Sequence, residues 1–262
     1  MTELSTAAPA TPARPERLPG LTVVLPCFNE AGNVAQAIQG AAWAAASNAD
    51  EHQIVVVDDG STDGTREIAE DVARSLPSVR VVQHEQNRGY GAALVSGIRA
   101  ASMPWVLLTD SDLQFDLDQI AEFVPYTREA DVLWGWRIDR QDPLHRRINA
   151  AAWNRLVRGT FDVGVRDVDC AFKLIRRDVV KDLPLTSNGA MISTELLVRA
   201  TRNGARVHEL GVEHLPRLAG DSSGANPRVV LRAFRELRRL RAELRARPPV
   251  PATRPATTAP AA

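Results

Sequence analysis

The stretch "QIVVVDDGSTDGT", residues 53–65, is a continuous apolar run that stops on two aspartates, Asp58 and Asp59, and a glycine-bearing turn. A strand with one solvated face alternates apolar and polar side chains, whereas an unbroken run belongs to a strand covered on both faces. The same pattern recurs on either side of it. "LTVVLP" precedes it from residue 21, and "VRVVQH", "PWVLLTD" and "DVLWGW" follow, with segments suited to helices between them. Strands alternating with crossover helices predict an α/β fold: an open, mainly parallel central sheet with helices on both faces.

The chain of 262 residues is long enough for one sizeable core, expected as a single domain over residues 20–246. Residues 1–19 and 247–262 are rich in Pro, Ala and Thr, bury too little apolar surface to order themselves, and are expected to be disordered tails. Charges balance at 32 basic against 32 acidic, so no global field points to a nucleic-acid partner. No apolar run reaches the roughly 18 residues of a membrane span, and no secretory leader pattern opens the chain. A cytoplasmic location follows as an expectation. Cys27 and Cys170 lie far apart and predict ordinary reduced thiols rather than a disulfide framework or a zinc site.

Three of the apolar runs end in acidic or polar residues: "PCFNE" in Asn29 and Glu30, "VVVDD" in Asp58 and Asp59, and "LLTDSDLQ" in Asp110 and Asp112. Ligands of open α/β sheets sit at the carboxyl ends of the strands, so these ends predict one crevice. Each taken alone is equally a polar turn with Asn33, Thr62 or Asp63 as a helix cap; the three together favour a site. In an extended chain Asp110, Asp112 and Gln114 project to one side. Two like charges about 4 Å apart repel by about 1 kcal/mol in water and about 4 kcal/mol at an effective dielectric near 20, and a divalent cation converts that repulsion into attraction. Oxygen ligands without a His or Cys cluster suit Mg²⁺ or Mn²⁺. Asp116 and Asp118, just beyond, suit the N-terminus of the next helix. The turn "NRGYGAALVSG" supplies Arg88, Gly89 and Gly91 beside a helix start, a place for phosphate. It fails as a dinucleotide fingerprint because Leu94 stands where a third small residue is needed for close helix–strand packing.

Taken in order, "VVLPCFNEAGNV", "VVVDDGSTDGT", "NRGYGAAL" and "VLLTDSDLQFD" resemble family 2 glycosyltransferases of the GT-A fold, and within them the polyprenyl-phosphate sugar synthases of the dolichyl-phosphate mannose synthase type. The likeness continues through Arg137, "DVDCAFKLIRRDV" and "PRLAGDSSG", and so spans about residues 21–240, without the membrane spans that relatives often carry after this point. It implies a nucleotide-sugar-binding half over 20–136 and an acceptor-binding half over 137–246. In the first half, Pro26, Phe28, Glu30, Asp58 and Asp59 would line base and ribose, with Arg88 near them. Asp110 and Asp112 would be the metal-binding pair that also meets the donor, and Gln114 a further ligand. Inverting transfer of a hexosyl group from a GDP- or UDP-sugar is the implied reaction.

The acceptor is expected to be decided downstream. Arg137, Arg140, Arg146 and Arg147 bring more positive charge than a buried helix hides, and arginine forks suit phosphate. Arg217 and Ser222 lie in a loop that resembles the family's Arg-x-x-Gly-x-Ser flap. A lipid monophosphate is already an anion and needs positioned cations rather than a base; a sugar hydroxyl needs a carboxylate base. Glu195 is the nearest candidate for that base, but Leu196 follows it where hydroxyl-acceptor relatives carry aspartate, which favours polyprenyl phosphate. Asp112, Arg137 and Glu195 are the expected catalytic residues. His208 and His214 are isolated and read as structural. The last helix, "PRVVLRAFRELRRLRAELRAR", carries eight arginines and an apolar stripe. That stripe suits either an anionic membrane face, directly or beside a membrane partner protein, or the protein's own core. A soluble hydroxyl acceptor is the alternative within the class. A nucleotidyltransferase would open with a Gly-rich basic loop that "PCFNEAGNV" lacks, and a silent partner protein would have lost the aspartate pair.

Overall fold

The computed structural model describes residues 16–138, 144–216 and 227–246. In chain order it runs β1 (Leu18–Cys27), α1 (Val34–Asn48), β2 (Ala49–Asp58), α2 (Thr65–Ser75), β3 (Val79–Gln83), α3 (Tyr90–Ala100) and β4 (Trp105–Leu108). It continues through α4 (Ile120–Phe123), β5 (Val132–Ile138), α5 (Leu144–Phe161), β6 (Lys173–Arg176), α6 (Arg177–Val180), α7 (Met191–Arg202), β7 (Val207–Glu213) and α8 (Pro227–Ala246). The strands form one seven-stranded sheet in the order β3-β2-β1-β4-β6-β5-β7. β6 alone is antiparallel to its neighbours β4 and β5. The sheet is thus the mainly parallel one that the apolar runs predict.

Those runs are unbroken because successive residues serve opposite layers. Leu21, Val23 and Leu25 of β1 join Ile54 and Val56 of β2 in a core with α1, α2 and α4. Val24, Val55 and Val57 point the other way, into a core with α3, α5, α7 and α8. Leu94, which breaks the dinucleotide pattern, is one of the side chains that fill this second layer.

Order begins earlier than the composition of the tail predicts. Leu18 is buried and pairs with Ala49, so β1 starts inside the stretch expected to be disordered. The reason is Arg17, whose guanidinium donates to the carbonyls of Ala46 and Ser47 at the end of α1 and pairs with Asp50. A cation over the last carbonyls of a helix answers both their unmet hydrogen-bonding capacity and the helix dipole. The remaining tail residues, 1–15 and 247–262, lie outside the described residues.

The last helix settles where its apolar stripe goes. Leu237, Leu240 and Leu244 are buried in the second core layer, and Phe234, half exposed, meets Trp153 of α5 edge-on. The stripe is spent on the protein itself. Arg235, Arg238 and Arg239 face outward on the other side of the helix.

Candidate functional site

β2, β1 and β4 are adjacent and parallel, so the three acidic strand ends open on one edge of the sheet. Their loops are laced to one another. Asn29, held at a positive φ of 56°, receives at its side-chain oxygen the amide of Thr62, and its own amide donates to the Ser61 hydroxyl. The Glu30 amide donates to Thr65 Oγ1 at 2.8 Å, and the Ala31 amide to Asp63 Oδ2 at 3.0 Å. The Ser111 hydroxyl donates to the carbonyl of Pro26 at 3.1 Å, tying the β4 loop to β1. Of the residues expected as plain caps, Asp63 receives the Thr65 amide at the start of α2 and also reaches across to the Ala31 amide, whereas Asn33 bonds within its own loop. Asn33 donates its side-chain amide to Glu30 at 2.7 Å rather than capping α1. For Asp63, burial acts upward, but donors from Thr65 and Ala31 outweigh it and hold the carboxyl below its ordinary range.

Of the residues expected to meet the nucleotide, Phe28 and Arg88 are exposed. Pro26 and Asp58 are buried, with Asp58 Oδ1 accepting from the Ser61 amide at 3.2 Å. Glu30 is half buried. Asp59 is a hub. It accepts from the amides of Arg88 and Gly89 at 2.9 and 2.8 Å and pairs with His84 Nδ1 at 2.6 Å, while His84 Nε2 reaches Ser96 Oγ. It thereby fixes the turn that opens α3.

The aspartate pair at the end of β4 is differently placed. Asp112 is buried, and Asp110 Oδ1 is sealed from solvent with no hydrogen-bond partner among the described residues. Burial, followed by the charge of Asp112, pushes the Asp110 carboxyl up to about 6, against the pull of Lys173, the Tyr90 hydroxyl and Arg137. A buried acceptor without a donor costs about 1–3 kcal/mol. A hard divalent cation would satisfy it, so the donor set fits Mg²⁺ or Mn²⁺. Among the described residues no closed group of three or more His, Cys, Asp or Glu side chains surrounds that point. A cation there would complete its shell with phosphate oxygens and water, as Mg²⁺ habitually does. Gln114 donates its side-chain amide to the Leu215 carbonyl at 3.1 Å and its backbone carbonyl receives the Leu215 amide. The amide nitrogen is thus committed to a strap onto the segment after β7, and any cation contact from Gln114 falls to its Oε1.

Two expected catalytic residues have other partners in the fold. The Arg137 guanidinium forms a bidentate pair with Asp167, 2.7 and 2.9 Å, and so stands as a neutralised part of the wall rather than an open clamp. Glu195, expected as the candidate base, is held by the fold. It is buried within α7, and its carboxylate accepts from the amides of Thr186 and Ser187, the Thr186 hydroxyl and Arg199 Nε. Burial raises it, yet these donors prevail and hold it below the ordinary carboxylate value. A carboxylate so depressed and so fully used accepts protons poorly. Arg140, Arg217, Ser222 and the side chains of Arg146 and Arg147 lie outside the described residues.

The structure also brings in residues that spacing along the chain did not single out. Lys173 on β6 pairs in register with Leu108, two residues before Asp110, and its ammonium lies 4.8 Å from the Trp134 ring centroid with no hydrogen-bond partner among the described residues. Burial lowers its pKa, opposed by Cys170 and by Asp110, Asp169 and Asp167. A buried lysine in the otherwise apolar run "AFKLI" was the available signal. Cys27 and Cys170 are free and buried, and burial foremost pushes both thiols up to about 12. His208 stacks on Tyr126 and His214 meets Phe115 edge-on, both as packing residues.

The model of glycosyl transferase family 2 matches residues 22–184. The chain belongs to that family. Among curated relatives this family 2 chain is 32% identical over 206 residues to dodecaprenyl-phosphate galacturonate synthase of Rhizobium johnstonii, covering 77% of this chain and 61% of that protein. It is 30% identical over 205 residues to undecaprenyl-phosphate 4-deoxy-4-formamido-L-arabinose transferase of Edwardsiella ictaluri, covering 77% and 62%. It therefore spans about three fifths of the length of these two relatives. Mannosyl-3-phosphoglycerate synthase from Rubrobacter xylanophilus superposes with a TM-score of 0.67 at 20% identity, over 86% of this chain and 75% of that one. A mannosyltransferase from Pyrobaculum calidifontis, solved with GDP-mannose and Mn²⁺, superposes at 0.60 and 19% identity over 86% and 66%. The fold is that of the GT-A glycosyltransferases. No helix among the described residues is long and apolar enough to cross a membrane.

Proposed function

We propose that this family 2 member is an inverting, metal-dependent transferase that moves a hexosyl group from a UDP- or GDP-sugar to polyprenyl phosphate. The observation that carries the reading is the sealed oxygen of Asp110, without a donor among the described residues, beside Asp112 at the mouth of three laced strand ends. Phe28, Glu30, Asp58 and the turn of Arg88 hold base, ribose and diphosphate on one side of that seat. Asp110, Asp112 and Gln114 would hold Mg²⁺ or Mn²⁺, which when bound would supply Lewis-acid neutralisation of the departing diphosphate. Lys173 lies behind the carboxylates and pulls the Asp110 carboxyl downward, and the Arg137–Asp167 pair stiffens the acceptor side of the wall.

Two observations favour a phosphate acceptor. Glu195, the carboxylate nearest in chain order to the acceptor half, is consumed by four donors, which suits an acceptor oxygen that is already an anion. Two relatives above 30% identity or at it are named for dodecaprenyl and undecaprenyl phosphate. Arg146, Arg147, Arg217 and Ser222 are the proposed phosphate contacts. The outward arginines of α8 would bring the chain to the anionic cytoplasmic face of a membrane, each adding about 1 kcal/mol near such a surface.

The test is incubation with a panel of UDP- and GDP-sugars, Mg²⁺ or Mn²⁺, and either polyprenyl phosphate or soluble sugars and phosphoglycerate. Glycolipid product is expected. Product with soluble acceptors alone overturns the lipid reading, and no nucleotide release under any condition makes the chain a silent partner.

A further inference from the structure

Glu195 lies deep in α7, takes no part in the proposed chemistry, and yet collects four hydrogen bonds. Two of its donors, the amides of Thr186 and Ser187, belong to the loop before α7, at 3.0 and 2.7 Å. A third is Arg199 Nε at 2.9 Å. Arg199 is buried too, and its Nη2 also donates to Glu243 of α8 at 3.0 Å. One continuous charged chain thus runs from α8 to the loop at 186–190.

That loop is pressed against the turn that opens α3. The Gly91 amide donates to the Asn188 carbonyl at 2.9 Å. A Cβ on Gly89 would fall 2.3 Å from the Asn188 oxygen, and one on Gly91 would fall 2.2 Å from the Ser187 oxygen. Only glycine permits that approach, and Gly89 also sits at a φ of 99°, where a side chain is strained. From the far side the same turn is gripped by Asp59 through the Arg88 and Gly89 amides. The back of the loop meets α8 again, where a Cβ on Gly189 would touch Arg232 and Glu236, each at 3.9 Å. The turn carrying Arg88 is therefore held between Asp59 in front and a loop braced by α8 behind.

We infer that Glu243, Arg199 and Glu195 form a positioning relay through which α8 sets the geometry of the Arg88–Gly91 turn, and with it the affinity for the nucleotide part of the donor. None of the three touches a reacting atom; they are positioning residues. The inference rests on the proposed reading of the crevice as a nucleotide-sugar site.

Calorimetric binding of UDP and GDP in the presence of Mn²⁺, on the full chain, tests it. Glu243 sits at the partly exposed end of the relay, so Glu243→Gln spares the core. It is expected to weaken the bound nucleotide about threefold to tenfold, the scale of one charge-assisted hydrogen bond, while far-UV circular dichroism stays unchanged. Arg199→Met is expected to weaken it further, and the double variant no more than Arg199→Met alone, because both cut one chain. In turnover, Glu243→Gln raises the donor KM and leaves kcat and the acceptor KM in place. Faster amide exchange at Gly91 in Glu243→Gln reports the loosened turn even where Arg199→Met does not fold. Unchanged nucleotide affinity together with unchanged Gly91 exchange overturns the relay. A wild-type chain that binds neither nucleotide overturns the donor-site reading beneath it.

Discussion

Asp59 and Asp110 stand at the ends of two strands separated only by β1, and the fold treats them in opposite ways. Asp59 is surrounded by donors, two backbone amides and His84. Asp110 keeps a sealed oxygen, Oδ1, with no hydrogen-bond partner among the described residues, and burial, followed by the charge of Asp112, pushes its pKa up to about 6. A carboxylate supplied by several donors is a structural anchor; one with a sealed oxygen that lacks a donor carries a cost that native folds tolerate where a ligand will answer it. The difference teaches that acidity at a strand end is common to both, whereas the supply of donors separates scaffold from seat.

The largest effect that tests the comparison is on catalysis. Asp112→Asn should lower metal-dependent turnover by at least about a hundredfold, since it removes a proposed cation ligand, while circular dichroism and melting stay near wild type. Turnover within a few-fold of wild type would mean the cation sits elsewhere.

Stability should then separate the two aspartates in sign. Asp59→Asn is expected to destabilise by about 2–3 kcal/mol in urea melts, because amides and an imidazole lose an ionic acceptor. Asp110→Asn is expected to stabilise the metal-free chain at neutral pH by about 1–2 kcal/mol, because it removes a buried, repelled charge. Loss of stability in both variants would erase the distinction drawn between them.

A third test uses acid. The folded pKa of Glu195 lies below its ordinary 4.5, so its contribution is complete above 4.5 and drains away as pH falls through the depressed value. Asp110 has the reverse sign. Its folded value is raised from 3.8 to about 6, so its cost is absent below 3.8 and develops as pH rises toward 6. Melting curves between pH 3 and 7, in metal-free buffer, should show the Asp110→Asn gain growing with pH. A gain that does not change with pH would break the link between the sealed oxygen and its titration.

The smallest expected effect concerns the outer face of α8. Replacing Arg235, Arg238 and Arg239 by Glu should weaken sedimentation with phosphatidylserine vesicles by about tenfold or more while leaving the melting point near wild type, because the helix is anchored by Leu237, Leu240 and Leu244 on its opposite side. Vesicle binding that is unchanged would confine α8 to its inward role.

The sequence by itself determined the sheet and the mouth of the site. Short valine and leucine runs alternating with helical segments read as strands covered on both faces, and an acidic residue directly after such a strand is carried to the sheet edge. The position of Asp58, Asp110 and Asp112 at that edge was legible for that reason. What tertiary structure alone decided is the set of partners. Glu195 became an anchor because a distant loop brings two amides to it and α8 backs Arg199; Arg137 became neutralised because Asp167 folds onto β5; Lys173 entered the site because β6 inserts between β4 and β5. The stripe of α8 turned inward because α7 lies beneath it. Periodicity records which face a residue occupies. The donor that reaches it comes from a remote segment of chain, and that is fixed only when the segments pack.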